Sequence, residues 1–293
     1  MAIPITGIIL TKNEEANLPG CLESISWADE ILVVDSFSTD RTAEIAQASN
    51  ARFIQHPFLN YAAQRNFAQA AATHDWVLHI DADERVTPAL AREIQQLSQT
   101  DQLDKHHAYY FARVDLWLGF WFPTHPEKYR LTPSIQRHLE RNRFIRLYNR
   151  RYARWQRALH EIIEVTPPVG FLQNCITHYS ATNLSRMLET FNSYTDLEAA
   201  QLYATGIRSH PLHALYRGFR TGLYLYFAWK LYRYGAPGLA YASHQGYVKY
   251  MNYLKLWELQ CIAANRGVWT SADHTLLQNA MRRAQSQDET DTA

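Results

Sequence analysis

Short apolar runs and helical patterns alternate along the first hundred residues of the chain. The apolar runs have the length and the β-branched or aromatic content of buried strands. They cover residues 3–10, 31–34, 53–54 and 76–80. Because strands that alternate with helices form right-handed βαβ units, this pattern predicts an α/β fold with a mostly parallel central sheet and helices on both faces.

Polar residues cluster where three of these strands end. The clusters cover residues 11–14, 35–40 and 81–83. The carboxyl ends of parallel strands meet at one edge of a sheet, and open α/β sheets bind ligands at that edge. We therefore expect one binding site there. For Asp35 and Asp40, capping of a turn or a helix is the alternative.

The cluster after the fourth strand has the composition of a metal site. Asp81 and Asp83 flank the small residue Ala82. Two adjacent carboxylates raise each other's pKa unless a hard cation such as Mg²⁺ or Mn²⁺ binds them, commonly together with a phosphate. Thr87 and Pro88 then predict the start of a helix, so that the pair lies on a strand-to-helix loop. The alternative is a solvated acidic turn.

Composition and missing motifs narrow the choice of function. The chain has 293 residues, 47% of them hydrophobic, and a net charge of +1, which predicts one large or two ordinary domains and gives no sign of nucleic-acid binding. Its three cysteines lack metal or disulfide spacing, which favours a reducing compartment. The glycine patterns of dinucleotide-binding folds and phosphate-binding loops are absent. We also find no run of 18 apolar residues and no signal peptide.

The middle of the chain offers cations and a candidate base. Nine arginines occur in residues 130–157, and alternation over residues 144–148 predicts a strand that presents Arg146 on a cationic face. Such a face binds a diphosphate, a phosphorylated acceptor, or only solvent and surface carboxylates. His160 and Glu161 follow in a strand-like context, and either side chain has the chemistry of a general base.

Four segments together resemble the family 2 glycosyltransferases of the GT-A fold. In chain order they read IILTKNEEANLPGCLESI, ADEILVVDSFSTDRT, YAAQRNFA and WVLHIDADE, within the first hundred residues. The later segments RFIRLYNRR, LHE and HYSATNL are similar to the branch that contains lipopolysaccharide-core glucosyltransferases.

This resemblance implies a role for individual residues. It implies that the donor-binding residues are Thr11, Asn13, Glu14, Asp35, Ser36, Gln64, Arg65, Asp81 and Arg146. Within this set, Asp35 would face the base or ribose. Asp83, Asp81 and His160 would hold Mn²⁺ or Mg²⁺, and Glu161 would be the catalytic base. For His160, a hydrogen-bonded core histidine is the alternative.

The resemblance also implies an activity and a location. The enzyme would be an inverting, metal-dependent glycosyltransferase that moves a hexose such as glucose from a nucleotide-diphosphate donor, UDP, to a saccharide acceptor. The acceptor would belong to the lipopolysaccharide core or another lipid-linked glycan, at the cytoplasmic, inner face of the bacterial inner membrane. A non-catalytic membrane-associated scaffold and an aspartyl-nucleophile phosphatase or phosphotransferase are the rival readings.

The predicted domain organisation places the transferase first. Residues 1–205 form the transferase domain, with a nucleotide-sugar half (1–100) and an acceptor half (101–180), followed by a helical extension (206–270) and a partly disordered tail (271–293). Residues 211–259 hold thirteen aromatic and six basic residues but one acid, which is typical of helices at an anionic membrane surface. The alternative is that these aromatic residues pack against the transferase core or against a second subunit. A homo-oligomer is therefore possible, and the sequence leaves the oligomeric state open.

Overall fold

A computed structural model of the chain describes residues 2–100, 102–122, 143–156, 161–181, 184–273, 275 and 278. The chain folds into two compact units, Met1–Ser180 and Ala181–Ala293. The boundary that we predicted at residue 205 lies inside the second unit. The reason is that the helix before residue 205 contributes Ala199 to the apolar core of the C-terminal helices.

The first unit alternates strands and helices through its first hundred residues. Its helices are α1 (Leu18–Ser24), α2 (Thr42–Ala48), α3 (Tyr61–Ala71) and α4 (Pro88–Gln99). Its strands up to residue 117 are β1 (Ile5–Thr11), β2 (Glu30–Asp35), β3 (Arg52–Gln55), β4 (Trp76–Asp81), β5 (Glu84–Val86) and β6 (Ala108–Trp117). The later ones are β7 (Phe120–Phe122), β8 (Arg143–Asn149), β9 (Ala153–Gln156), β10 (Ile162–Val165) and β11 (Val169–Ala181).

These strands confirm the α/β class and form a mixed sheet. The order is β3-β2-β1-β4-β8-β6-β11-β5, with β7 beside β6. The four strands from β3 to β4 pair in parallel, whereas β8 pairs antiparallel with both β4 and β6. In the first hundred residues helices connect the parallel strands, as a parallel crossover requires.

Helices cover both faces of the sheet, as predicted. Buried residues of α1, α2 and α4 pack on one face of β1, β2 and β4, where Ile5, Ile9 and Val33 are buried. On the opposite face Ile8 packs with Ala68 of α3 and with residues of β8 and β9. Consecutive strand residues therefore enter two separate cores, as expected for a strand that is buried on both sides.

The turn after β4 differs from the predicted strand-to-helix loop. The short strand β5 follows Asp83 and pairs antiparallel with β11 before α4 begins. The helix start itself is as predicted, since the Thr87 side chain accepts a hydrogen bond from the Leu90 N–H and Pro88 is in the first turn.

The described residues of the second unit contain the helices α5 (Leu184–Ala204), α6 (Pro211–Ala228) and α7 (Gly235–Ala263). A short 3-10 turn at Leu231–Tyr234 separates α6 from α7. Residues 235–238 form the first turn of α7, where a proline costs no helical hydrogen bond. Gly238 is required there because a Cβ atom would lie 2.0 Å from the carbonyl oxygen of Leu231. No helix in the described parts of the chain is long and apolar enough to cross a membrane.

Candidate active site

The carboxyl ends of β1 and β2 form two loops that are joined through Asp35. Its carboxylate is fully buried and accepts hydrogen bonds from Thr11 Oγ1 (3.0 Å), the Ser38 N–H (2.9 Å) and Gln55 Nε2 (3.2 Å). A buried carboxylate with this many donors is satisfied within the protein. Asp35 therefore holds the two loops together, and its contact with a base or ribose stays a prediction.

The loop after β1 is connected to the loop after β2 by further hydrogen bonds. The Asn13 N–H donates to Ser38 Oγ (2.8 Å), and Asn13 Oδ1 accepts from the Thr39 N–H (2.8 Å). The Glu14 N–H donates to Thr42 Oγ1 (2.7 Å). Asn13 and Glu14 thus lie at the predicted edge of the sheet, on a surface that the two loops build together.

Helix α3 brings Gln64 against the same loops. Gln64 is buried, and its Nε2 donates to Ser36 Oγ at 3.1 Å. Its Oε1 lies 2.8 Å from His56 Nδ1. Ser36 and Gln64, which sequence analysis assigned separately to the donor site, are therefore direct partners.

Arg65 lies between two carboxylates that are far apart in the chain. Its guanidinium is almost fully buried and donates from Nη2 to Asp81 Oδ1 (2.9 Å) and to Glu161 Oε1 (3.2 Å), with Nε also 3.2 Å from Glu161. Helix α3, the end of β4 and the residue before β10 meet at this arginine. Its charge is therefore held at the centre of the candidate site.

A second buried arginine completes the surroundings of Asp81. Arg146 Nη2, from β8, donates to Asp81 Oδ2 at 2.7 Å. The guanidinium carbons of Arg65 and Arg146 lie 4.8 and 5.9 Å from the centre of the Trp155 ring, so both cations contact the same aromatic residue. The cationic strand face that we predicted around Arg146 is thus directed inward at this position.

These two cations determine the charge of Asp81. Burial by itself raises the pKa of a carboxyl group, but the guanidinium groups of Arg146 and Arg65 outweigh burial and hold the pKa of Asp81 well below its usual range. Asp81 therefore stays ionised without a metal ion. The role of Asp81 as a metal ligand stays a prediction.

Asp83 has a different partner from Asp81. Its Oδ2 lies 3.1 Å from Nε2 of His178, and Nδ1 of the same imidazole lies 2.7 Å from Asp115 Oδ1. Burial lowers the pKa of His178, but its hydrogen bonds to Asp115 and Asp83 outweigh burial and raise the pKa to about 9. An imidazole oriented by a carboxylate on its far nitrogen is the usual arrangement of a metal-binding histidine.

The spacing of Asp83 and His178 fits a divalent cation. Neighbouring ligands of an octahedral ion with bonds of about 2.1 Å lie about 3.0 Å apart. The observed oxygen-to-nitrogen distance is 3.1 Å. Among the residues that the structure describes, no group of three or more His, Cys, Asp or Glu side chains is arranged to hold a metal. Any metal bound at this pair would therefore need further ligands beyond the side chains that the structure describes.

A buried glutamate supports the turn between the two aspartates. Glu84 is fully buried, its Oε2 accepts from the Asp81 N–H (3.0 Å), and its Oε1 lies 3.5 Å from Nη1 of Arg113. Burial raises the pKa of Glu84, and the nearby Arg146 partly offsets that effect. Glu84 therefore holds the backbone from which both aspartates project.

Sequence analysis did not include His178, Asp115, Glu84 or Trp155 among the site residues. His178 was visible only as the first residue of the segment HYSATNL, which carried part of the resemblance. What brings it to the site is the antiparallel pairing of β11 with β5, in which His178 is opposite Glu84. His160, which we predicted as a metal ligand, lies outside the described residues.

A comparison with protein-family models identifies the family of the chain. The family model for glycosyl transferase family 2 matches residues 6–154, about half of the chain. The chain belongs to glycosyl transferase family 2. This confirms the resemblance read from the sequence motifs, and the chain is a glycosyltransferase.

Relatives of the transferase extend over nearly its whole length. A protein of Rhizobium meliloti named lipopolysaccharide core biosynthesis glycosyltransferase LpsC is 28% identical over 281 residues, which is 93% of this chain and 98% of that protein. A Rickettsia typhi protein described as an uncharacterized glycosyltransferase is 28% identical over 89% of each chain. Among solved structures, the transferase is similar to a crystal structure of glucosyl-3-phosphoglycerate synthase from Mycobacterium tuberculosis in complex with Mn²⁺, UDP and glucosyl-3-phosphoglycerate. The two chains are 32% identical over 28% of this chain and 34% of the other, and the TM-score is 0.26.

Proposed function

We propose that this transferase moves a hexose such as glucose from a UDP-sugar to a saccharide acceptor in a metal-dependent, inverting reaction. The observation that carries the proposal is a cluster of Arg65, Asp81 and Glu161 that lies two residues along the chain from the Asp83–His178 pair, in one unit of a family 2 chain. This arrangement combines fixed cations, a candidate metal pair and a carboxylate within one site.

Asp83 and His178 are the residues that we propose hold the metal. A carboxylate oxygen suits both Mg²⁺ and Mn²⁺, and the imidazole nitrogen favours the softer Mn²⁺. When bound, such a cation neutralises the charge that grows on the departing diphosphate. Arg65 and Arg146 add fixed positive charge from a buried position, where the dielectric constant is low and electrostatic stabilisation is strong.

Glu161 is the group that we propose takes the acceptor proton. In a single displacement the acceptor oxygen bonds to the anomeric carbon, the bond from that carbon to the diphosphate breaks, and the proton of the acceptor hydroxyl passes to the carboxylate. Arg65 orients Glu161 through two hydrogen bonds to Oε1. Oε2 is then the oxygen that we expect to take the proton.

The experiment that tests the function measures donor binding and hydrolysis for UDP-, GDP- and dTDP-sugars, with and without Mn²⁺. We expect one donor to bind and turn over only with metal. In Asp83→Ala turnover is expected to fall roughly 10²–10³-fold, as on removal of a group that stabilises transition-state charge. The control is Asp196→Ala, which removes a carboxylate of the second unit that pairs with Lys255.

Two results would count against this function. If no nucleotide sugar binds under any metal condition, the transferase site as described fails and the non-catalytic scaffold becomes the better reading. If a donor turns over at the same rate after chelation of all metal, the metal-dependent mechanism is wrong while the transferase assignment remains.

We further propose that the acceptor is lipid-linked, as in the lipopolysaccharide core, and that α6 contacts the membrane that carries it. The name of the Rhizobium meliloti relative supports a lipopolysaccharide acceptor. Large apolar side chains are exposed along one stripe of α6: Leu212, Leu215, Tyr216, Phe219, Leu223 and Phe227. Their spacing of three and four residues is that of a single helix face, and such a face with basic neighbours binds the interface of an anionic bilayer.

Flotation with vesicles tests the membrane contact. We expect the full chain to float with vesicles that contain anionic phospholipid, and the double variant Leu215→Ser/Phe219→Ser to remain in solution. Val268→Ser, which removes a fully exposed apolar side chain outside α6, is the control. If the double variant floats like the wild type, or if it changes the oligomeric state instead, the stripe does not serve as a lipid-binding face.

A further inference from the structure

One indole ring lies against both buried arginines of the candidate site. Trp155, on β9, is 6% exposed, and the guanidinium carbons of Arg65 and Arg146 lie 4.8 and 5.9 Å from its ring centre. Attraction between a cation and an aromatic ring is strongest where water is excluded from both groups. The two arginines belong to α3 and β8, so this ring joins cations from separate elements.

Hydrogen bonds fix Trp155 both at its backbone and at its ring. Its N–H donates to Asn66 Oδ1 (3.0 Å), and its carbonyl oxygen accepts from Asn66 Nδ2 (2.8 Å). The indole Nε1–H donates to the hydroxyl oxygen of Tyr148 at 2.8 Å. Because Trp155 and Tyr148 are buried, a ring that turned away from the arginines would leave polar groups unsatisfied.

A further network of side chains holds Tyr148 in turn. The Tyr148 hydroxyl donates to Gln69 Oε1 (3.1 Å), and its oxygen lies 3.0 Å from Nδ1 of His79, which is fully buried on β4. A hydroxyl group has one proton to donate, so His79 is the donor in the second pair. The His79 ring also packs edge-on against Trp155, with ring centres 5.9 Å apart. The indole is thus supported from α3, β4 and β8.

The hydrogen bonds of Arg65 act at one edge of its guanidinium. They run from Nε and Nη2 to Asp81 and Glu161. Nη1 is buried and has no hydrogen-bond partner in the described part of the chain. Bonds along one edge of a planar group fix its place but permit tilting about that edge, and a ring 4.8 Å from the guanidinium carbon restricts such tilting. The contact with Trp155 therefore helps to set the angle at which Arg65 reaches Glu161.

We propose that Trp155 is a positioning residue that sets the orientation of Arg65 and Arg146 for sugar transfer, an inference that rests on the proposed function. Arg65 orients Glu161, and both arginines supply fixed positive charge, so a shift of either cation affects the transfer step. A displacement of about 1 Å in an active site commonly lowers the rate about 10²-fold. The ring acts through the arginines and takes no part in bond formation or proton transfer.

The test compares Trp155→Phe with Trp155→Leu in the full chain. It measures kcat and KM for hydrolysis of UDP-, GDP- and dTDP-glucose with Mn²⁺, together with the unfolding temperature. Both variants lose the indole N–H and leave space in the core, but only phenylalanine keeps an aromatic ring. We expect kcat to fall roughly 100-fold in Trp155→Leu and at most roughly 10-fold in Trp155→Phe, with a smaller change in KM than in kcat.

Trp76 provides the matched controls, because it is also a buried tryptophan whose indole N–H donates to a side chain, Asp104, at 2.7 Å. It begins β4, and Asp81 ends that strand roughly 17 Å away. Trp76→Phe and Trp76→Leu are expected to lower the unfolding temperature as the Trp155 variants do. Their kcat below that temperature is expected to stay near the wild-type value.

Tyr148→Phe decides the question if Trp155→Leu does not fold. This change keeps every ring in place and removes only the hydroxyl that holds the indole. We expect kcat to fall several-fold while KM stays near the wild-type value, since the ring is then held less firmly. Wild-type kcat in Tyr148→Phe would in that case overturn the positioning role.

The outcomes separate this inference from the function on which it rests. Equal loss of kcat in Trp155→Phe and Trp155→Leu overturns the positioning role, because the aromatic ring would then be irrelevant. Equal loss in Trp155→Leu and Trp76→Leu overturns it as well, since the effect would then reflect stability alone. Wild-type kcat in a folded Trp155→Leu overturns only the positioning role and leaves the transferase function standing. If the wild type neither binds nor hydrolyses any nucleotide sugar, the proposed function fails first.

Discussion

At the scale of single residues, the charge balance around Arg65 is the most consequential feature. One buried guanidinium donates to Asp81 at the end of β4 and to Glu161 just before β10, in different halves of the first unit. Removal of one partner from a buried ion pair leaves an uncompensated charge, which commonly costs about 3–5 kcal/mol. Substitutions here must therefore preserve hydrogen bonding if they are to report on catalysis and not on folding.

Glu161→Gln is such a substitution. The amide oxygen can still accept from Arg65, but the amide cannot take a proton from the acceptor hydroxyl. We expect kcat to fall roughly 10²- to 10⁴-fold, with UDP affinity and unfolding temperature near those of the wild type. Steady-state kinetics with a saccharide acceptor measure this effect.

The matched control for this substitution is Glu164→Gln, three residues further along β10, where the side chain is exposed and accepts from Gln156. It is expected to leave kcat unchanged. Wild-type kcat in Glu161→Gln would show that another group accepts the proton.

At the scale of secondary-structure elements, α6 and α7 approach each other through small residues. A Cβ atom on Gly218 of α6 would lie 2.7 Å from Tyr250 Cβ and 2.8 Å from the carbonyl oxygen of Gly246 on α7. A Cβ on Gly246 would meet the Gly218 carbonyl oxygen at 2.8 Å. Because the obstacle is backbone in both cases, neither helix can adjust by a rotamer change. The close contact therefore depends on glycine at both positions.

Gly218→Ala is expected to destabilise the helical unit. Alanine favours a helix over glycine by about 0.5–1 kcal/mol, but overpacking of a tight contact costs about 1–3 kcal/mol, so the net effect is a loss. Urea unfolding followed by far-ultraviolet circular dichroism measures it. Ser243→Ala, at an exposed position of α7, gains helix propensity without a clash and should be neutral or stabilising. A stabilised Gly218→Ala would mean that the helices are not in close contact.

At the scale of the whole molecule, basic and acidic residues are distributed unevenly along the chain. The chain carries a net charge of +1, yet residues 199–257 contain seven basic residues and no acid. The exposed apolar stripe of α6 belongs to this segment. The segment can thus attract an anionic surface even though the whole protein is almost neutral.

Vesicle binding is therefore expected to depend on salt. Between about 0.1 M and 1 M salt the screening length falls from about 10 Å to about 3 Å, which weakens attraction between the basic residues and anionic lipid. We expect binding to decrease several-fold but not to vanish, because the apolar stripe is insensitive to screening. Flotation at several salt concentrations, with vesicles of neutral lipid for comparison, measures this. Equal binding to both lipids at all salt concentrations would contradict the electrostatic contribution.

The sequence by itself determined the features that depend on local periodicity. Residues 3–10 and 76–80 predict β1 and β4 to within two residues, and Thr87 with Pro88 predicts the start of α4. The alternation of strands with helices also determined that the polar clusters meet at one sheet edge, since parallel strands have their carboxyl ends on the same side. These features follow from side-chain spacing and from rules of chain connection, which require no knowledge of distant contacts.

Only the tertiary structure decided what each polar residue of that edge does. It turned Asp35 inward, and it gave Asp81 two arginine partners 16 and 65 residues away in the chain. It also placed His178 against Asp83 across 95 residues, through the pairing of β11 with β5. No periodic pattern records such contacts, because they join residues far apart in the chain through strand pairing that packing decides. The charge of a carboxylate, and with it the role of each aspartate, depends on which cations that packing brings near.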